Sequence, residues 1–201
     1  MEPSQMGVKG YYSCQPFSGV FAIVCYATVH SVVLLLTPAV ALLGFGDIPI
    51  EFVFGIFFMS AVFTPYILRK PGVATIVGLM TALIQVLMGS AFSSTVIVSG
   101  LVQGLGAELI FFLFRYKKWD WSSMLLAAAS CCVFSFVLAW YRGLWMELAF
   151  GFVATRFVIR LISALVFSGV LAKILADRLA KAGVLKSYPI GKKYAGAIDE
   201  H

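Results

Sequence analysis

The sequence predicts an all-α integral membrane protein with six transmembrane helices and both termini in the cytoplasm. Hydrophobic residues make up 61% of the 201 residues and charged residues only 12%, and the mean hydropathy is +0.97. The apolar runs are continuous over about 20 residues, the length that a helix needs to cross a bilayer. They do not alternate as barrel strands do, so helices are the architecture that satisfies the backbone in lipid.

Charged residues and Pro or Gly clusters divide the apolar sequence into six runs, and such breaks end membrane spans. The first run is too long for the core of a signal peptide, so we expect it to be retained as a span. We therefore predict a cytoplasmic segment at 1–16, a membrane domain at 17–175 and a basic cytoplasmic tail at 176–201. The predicted spans extend over residues 17–43, 52–68, 73–89, 95–114, 122–141 and 148–173.

The loops between the runs differ in charge. Arg-Lys-Pro-Gly at 69–72 separates the second and third runs, and three cations at 115–118 separate the fourth and fifth. Cytoplasmic loops carry an excess of Lys and Arg, so both loops are predicted to face the cytoplasm, together with both termini. The loops on the other side contain three acids and one cation, Arg142. The Lys and Arg residues that give the net charge of +6 lie at the ends of the spans, where they orient the protein in the membrane. We therefore expect no nucleic-acid partner.

Three charged residues lie inside apolar runs, where an ionisable group is expensive and usually paired or functional. They are Glu108 in the fourth span and Arg156 and Arg160 in the sixth. At 1.5 Å per residue, Glu108 and Arg160 each lie about 20 Å below the outer surface, which predicts an ion pair between them. Arg156, one turn away, either shares this pair or contacts a ligand, and both interpretations stay open.

Aromatic and acidic residues concentrate at the predicted outer side. Trp140, Tyr141, Trp145 and Glu147 surround the connection between the fifth and sixth spans, and Glu51 faces the same compartment. Such aromatics form an interfacial belt in many membrane proteins. They are also typical of a site for a flat or cationic heterocycle, through stacking and cation–π attraction.

The third and fourth spans carry polar and small residues within their apolar runs. Gln85 and Gln103 either line a cavity or hydrogen-bond a neighbouring helix. Gly100 and Gly104 leave one face of the fourth span nearly bare. Such a face permits close helix approach, either inside the monomer or against a partner protein.

Several classes of function are disfavoured by the sequence. The four cysteines lack metal-ligand spacing, so we expect no zinc site, no disulfide framework and no cofactor. Nucleotide-binding and hydrolase motifs are absent from the sequence. The spans leave no room for a soluble catalytic domain, so an enzyme is not expected.

Four short strings are informative together: Arg-Lys-Pro-Gly at 69–72, Val-Gln-Gly-Leu-Gly-Ala-Glu at 102–108, Arg-Leu-Ile-Ser at 160–163 and Ala-Gly-Val-Leu at 182–185. In order and spacing they resemble the YkoE family, over roughly residues 45–193. That family comprises substrate-binding S components of energy-coupling-factor vitamin transporters. It is associated with thiamine and its hydroxymethylpyrimidine precursor.

The resemblance implies a multi-pass protein of the bacterial plasma membrane that binds a vitamin from outside. It also implies a transmembrane coupling subunit and two cytoplasmic ATPases as partners. Arg69, Lys70, Gly100 and Gly104 are then candidates for docking on the coupling subunit. Another small vitamin such as a corrinoid, a membrane-embedded enzyme and a structural assembly subunit are the alternatives. The candidate substrate-binding residues are Glu51, Gln85, Gln103, Trp140, Tyr141, Trp145 and Glu147.

One departure from the family pattern bears on the substrate. The family's third helix carries acidic residues at the positions of Gly78 and Gln85 in this sequence. Thiamine has a permanent positive charge, which carboxylates would hold best. The resemblance therefore implies either that Glu51 and Glu147 compensate or that the ligand is neutral, as hydroxymethylpyrimidine is.

Overall fold

A computed structural model describes residues 48–87, 93–143, 149–183, 185 and 188–191. The principal helices of this part are α1 (Ile48–Leu68), α2 (Val73–Leu87), α3 (Ser93–Leu113) and α4 (Trp121–Tyr141). A last continuous helix consists of α5 (Phe150–Ser163), a π-helical segment (Ala164–Leu171) and α6 (Ala172–Lys181). The described ranges contain no strand, which confirms the all-α prediction for them. The predicted segment 1–16 and first span 17–43 lie outside the described residues.

The helices correspond to the second to sixth predicted spans. By length and composition, Ser94–Leu113, Trp121–Tyr141 and Phe150–Lys181 are long and apolar enough to cross a membrane. Phe54–Leu68 and Val73–Leu87 are shorter apolar helices. The last helix continues through the predicted start of the tail at 176 as far as Lys181.

Helix α1 is the centre of the described bundle and packs against every other helix of it. Its Phe58, Val62 and Tyr66 side chains are fully buried. Hydrogen bonds connect the start of α1 to α5 and its end, through Tyr66, to Asp177 of α6. Residue numbers therefore rise together along the two contacts, so α1 and the last helix run parallel. We call the end with the loops at 69–72 and 114–120 the basic end. The opposite end contains a cavity and is called the cavity end.

Helices α2 and α3 are antiparallel and lie in close contact through glycine. A Cβ atom on Gly78 would collide with the carbonyl oxygen of Gly100, and one on Gly104 would lie 2.8 Å from the Ala74 carbonyl oxygen. The bare face of α3 therefore packs inside the monomer. This contact with α2 accounts for both glycines within the described bundle, and docking of Gly100 and Gly104 on a coupling subunit stays a prediction.

Glu108 forms a cap at the basic end rather than the predicted pair with Arg160. Its carboxylate accepts hydrogen bonds from the backbone N–H groups of Gly72 (2.6 Å) and Ala74 (2.9 Å) and from the Tyr116 hydroxyl (2.5 Å). Burial and the adjacent carboxylate raise the pKa of Tyr116 to about 12, so its hydroxyl stays protonated and donates. The first N–H groups of a helix lack partners within it and carry partial positive charge. The N–H groups at the start of α2 thus stabilise the negative charge of Glu108, which Arg160 was predicted to do.

The two arginines of the last helix pair instead with Glu51 at the start of α1. Arg156 Nε lies 3.0 Å from Glu51 Oε1 and Arg160 Nε lies 2.5 Å from Glu51 Oε2. Ser163 adds a neutral attachment, because its hydroxyl donates to the Phe52 carbonyl and accepts from the Gly55 N–H at 3.0 Å. Glu51 therefore lies within a helix contact, 1% exposed, and not in a loop.

A second polar cluster, which the sequence analysis did not identify, joins the same helices at the basic end. Lys173 Nζ lies 2.6 Å from Asp177 Oδ2, and the Tyr66 hydroxyl donates to Asp177 Oδ1 at 2.7 Å. The ammonium group also lies over the rings of Trp121 (4.6 Å) and Tyr66 (5.4 Å). Aromatic faces attract cations, so this largely buried lysine is stabilised by charge and by rings.

We expect Gly104→Ala to destabilise the protein, because the added methyl group overpacks the α2–α3 contact at about 1–3 kcal/mol. The matched control is Gly151→Ala in α5, where a Cβ atom meets nothing within 4 Å. Alanine favours helix over glycine by about 0.5–1 kcal/mol, so the control should keep or raise the melting temperature. Thermal unfolding of the purified variants measures both, and equal melting temperatures would contradict the packing described.

A double-mutant cycle should show which of the two acids, Glu51 or Glu108, pairs with Arg160. Arg160→Gln and Glu51→Gln are expected each to lower the free energy of unfolding by about 3 kcal/mol, with a coupling of about 1–3 kcal/mol in the double variant. Glu108→Gln and Arg160→Gln should be additive within about 0.5 kcal/mol, because the hydrogen bonds described for the two residues involve different groups. Equilibrium unfolding in mixed micelles provides the free energies. Strong coupling between Glu108 and Arg160 would overturn the assignment.

Candidate ligand-binding cavity

A cavity of about 440 Å³ lies at the cavity end among helices α1 to α5. Ligand sites for small molecules are commonly clefts of about 300–1,000 Å³ that combine apolar walls with a few polar groups. The described residues that line this cavity are Glu51, Phe54, Phe57, Ser60, Ala61, Gly78, Thr81, Ala82, Gln85, Val96, Ser99, Gly100, Gln103, Ser135, Leu138, Ala139, Arg142, Arg156 and Arg160.

The charged side of the cavity is formed by Glu51 and its two arginines. The guanidinium of Arg160 lies 4.0 Å from the centre of the Phe54 ring, and its Nη1 lies 3.4 Å from the Ser135 hydroxyl. Arg156 lies 5.6 Å from the Phe152 ring centre. Aromatic rings hold guanidinium planes by stacking and cation–π attraction, so these contacts fix the arginines against the cavity wall.

Uncharged polar groups occupy the wall formed by α2 and α3. Gln85 and Gln103, predicted to line a cavity, both line this one. Thr81 lies one turn before Gln85 on α2, and its buried hydroxyl has no hydrogen-bond partner among the described residues. Buried polar groups are nearly always satisfied, so an unsatisfied hydroxyl in a cavity wall marks a position for a ligand or water.

The aromatic groups differ from those that the sequence pattern emphasised. Phe54 and Phe57 line the cavity. Trp140 and Tyr141 are 45% and 85% exposed, and neither lines the cavity within the described part of the chain. Their contact with a ligand stays a prediction, and their exposure suits the interfacial belt. Trp145 and Glu147 lie outside the described residues.

Of the lining residues that sequence reasoning missed, Arg142, Thr81 and Phe54 are the most informative. Arg142 follows α4 at the cavity end and donates to the Thr95 hydroxyl at 2.6 Å. Its signal was present, because it is the one cation in loops that are otherwise acidic. Thr81 and Phe54 carry no such signal, since an apolar span normally contains threonine and phenylalanine.

The chemistry of the cavity is that of recognition. It offers hydrogen-bond donors and acceptors, aromatic faces and arginines in an apolar setting. The described residues contain no group of three or more His, Cys, Asp and Glu side chains that would hold a metal ion.

Comparison with known proteins consistently identifies membrane transport proteins, although their descriptions name different substrates. A sequence-family model described as "ABC-type cobalt transport system, permease component" matches residues 17–134. The YkoE protein of Bacillus subtilis strain 168, which carries the provisional name HMP/thiamine permease protein, is 37% identical over 149 residues, or 74% of this chain and 75% of that protein.

A solved structure described as an S-component of an ECF transporter matches with a TM-score of 0.83 and 34% identity, over 90% of this chain and 91% of that one. The identity to YkoE and this structural match concern most of the chain. The protein is therefore a multi-pass transport protein of the cell membrane and not an enzyme. The chain belongs to the YkoE family of S components of energy-coupling-factor transporters.

Proposed function

We propose that the protein captures thiamine or its hydroxymethylpyrimidine precursor for import by an energy-coupling-factor transporter. The observation that carries this proposal is the unsatisfied Thr81 hydroxyl in a cavity that Gln85 and Gln103 also line. A pyrimidine presents ring nitrogens and an amino group in one plane, and amide and hydroxyl groups pair with such edges. The name of the Bacillus subtilis relative supports the same class of ligand.

In the proposed complex the pyrimidine ring lies against Phe54 or Phe57, with its polar edge toward α2 and α3. The cavity of about 440 Å³ suits a ligand of this size. A corrinoid is several times larger than a pyrimidine, so the same volume disfavours it. Trp140, Tyr141, Trp145 and Glu147 stay predicted contacts of the ligand, and Glu51 is proposed to act through its two arginines.

The partners are proposed to be a transmembrane coupling subunit and two cytoplasmic ATPases. The match to an S component supports such an assembly in general terms. With six spans and both termini in the cytoplasm, the basic end would face the coupling module's ATPases. Lys70 is exposed there, beside Arg69, whose backbone adopts a positive φ of 51°. We propose this turn as a docking contact.

Thr81→Val should weaken binding of hydroxymethylpyrimidine or thiamine by about tenfold, because a ligand polar group loses its partner while the shape is kept. Stability should be unchanged or higher, since the variant removes an unsatisfied buried hydroxyl. Isothermal titration calorimetry in detergent and thermal unfolding measure the two effects.

Thr155→Val is the matched control, because Thr155 is exposed on α5 and its hydroxyl bonds to the Gly151 carbonyl. The control should bind as the unaltered protein does. Equal affinity in both variants would remove Thr81 from the site. Failure of the unaltered protein to bind either compound would overturn the proposed function.

Lys70→Glu should lower vitamin uptake in cells that supply the coupling subunit and ATPases, while ligand affinity of the purified protein stays the same. Charge reversal at an interface rim slows association with a partner of opposite charge. Lys118→Glu, an exposed cation in the other basic loop, controls for the change in net charge. Equal uptake in the two variants would contradict docking through the 69–72 turn.

A further inference from the structure

The turn that joins α1 to α2 at the basic end presents two exposed residues, Lys70 and Pro71. Hydrogen bonds hold the backbone on both sides of them. The Arg69 N–H donates to a carbonyl of α1 at 2.7 Å, and the Gly72 N–H donates to the Glu108 carboxylate at 2.6 Å. Proline also fixes its own backbone φ. The two exposed residues therefore lie on a short, restrained segment.

The shape of this turn depends on a group from another helix. Arg69 and Gly72 adopt positive φ values of 51° and 80°, and this conformation is unfavourable for a residue with a side chain. Gly72 precedes the first residue of α2, where Ser, Thr, Asp or Asn would cap the helix with its own side chain. Glycine offers no such group. Glu108, 36 positions away on α3, supplies the cap and also accepts from the Ala74 N–H at 2.9 Å.

The same carboxylate is attached to the second loop of the basic end. The Tyr116 hydroxyl donates to Glu108 at 2.5 Å, and the Tyr116 carbonyl accepts from the Trp119 indole N–H at 2.9 Å. Trp119 is buried and stacks on Phe111, with 5.0 Å between ring centres. Tyr116 itself has a positive φ of 55°, a conformation that persists only where surrounding contacts hold it. Glu108 thus connects the exposed turn to the packed core.

We propose that Glu108 is a positioning residue for transport, which holds the turn in the shape that presents Lys70 to the coupling module. Tyr116 keeps the carboxylate in place. The inference rests on the proposed function, in which this turn is a docking contact, and it adds the group that preorganises the contact. A preorganised segment loses little conformational freedom on binding, so it binds more tightly. Glu108 is not among the described residues that line the cavity, so capture of the vitamin should not depend on it.

Glu108→Gln in the full-length protein tests the inference. Glutamine offers one acceptor oxygen in place of two and brings an NH₂ group against N–H donors. In detergent, hydrogen–deuterium exchange of the Gly72 and Ala74 amides should become about tenfold faster, because a hydrogen bond to a charged group is lost. Calorimetry with hydroxymethylpyrimidine and thiamine should give unchanged affinities.

Uptake should fall by about fivefold in cells that supply the coupling subunit and ATPases, because only molecules that keep the turn in shape are competent to dock. Unchanged exchange in Glu108→Gln overturns the role of the carboxylate in holding the turn. Faster exchange with unchanged uptake overturns its role in docking. Both results leave the proposed function standing, whereas failure of the unaltered protein to bind or take up either compound overturns the proposed function itself.

Tyr116→Phe is a second variant that removes one hydroxyl and keeps the ring. It should change exchange and uptake in the same direction to a smaller extent, and it decides the test if thermal unfolding shows Glu108→Gln to be unfolded. The matched control is Ser130→Ala, which removes a hydroxyl bond of 2.7 Å to the Gly106 carbonyl between α4 and α3. The control should leave exchange at the turn and uptake unchanged.

Combining Glu108→Gln with Lys70→Glu separates positioning from a general loss of stability. If Glu108 acts through the turn, the double variant should take up the vitamin no more slowly than the slower single variant. Independent effects would instead multiply, because changes at sites that do not interact are additive in free energy. Multiplied reductions in uptake therefore overturn the inference.

Discussion

The described bundle depends on one buried ionic contact, between Glu51 of α1 and the two arginines of the last helix. Removing charge from water in a membrane is costly, and the cost is offset only where opposite charges and hydrogen bonds meet in good geometry. Glu51, Arg156 and Arg160 must therefore occupy the same depth, which fixes where the last helix contacts α1. The cavity is built around this contact, since all three side chains line it.

A second attachment of the same two helices lies at the basic end, where Tyr66 and Lys173 meet Asp177. The π-helical segment Ala164–Leu171 lies between the two attachments. A π-helix closes its hydrogen bonds one residue later than an α-helix, so it changes the direction in which later side chains point. Arg160 and Lys173 are both buried, 4% and 7% exposed, on a helix that contains this change of phase. The segment thus sets which residues of α6 face α1.

The spans were predictable because the length of an apolar run can be read directly from the sequence. Three described helices are long and apolar enough to cross a membrane, and two shorter apolar helices coincide with further predicted spans. The partners of the charged side chains were not predictable. Counting depth along straight helices considers only other side chains at the same depth, and it leaves out the N–H groups at helix ends. Glu108 accepts hydrogen bonds from backbone N–H groups at the N-terminus of α2, and no residue type in the sequence indicates such a partner. Gln85 and Gln103 could be selected as candidates because an amide is conspicuous in an apolar run, but only the structure shows that both line the cavity. Thr81 was not found, because only packing reveals that its hydroxyl lacks a partner.

The contact between Glu51 and Arg160 joins residues 109 positions apart in the chain. Synthesis at about 5–20 residues per second separates their appearance by roughly 5–20 s. During that interval Glu51 has been synthesised without its arginine partners, while α2, α3 and α4 are made. An arginine at a helix centre adds about 2.5–3.5 kcal/mol to the free energy of membrane insertion, and in the folded bundle the ion pairs with Glu51 offset part of this cost. A nascent chain that stops before Arg156 lacks both arginines, so its Glu51 carboxylate has neither of the two ionic partners seen in the described bundle.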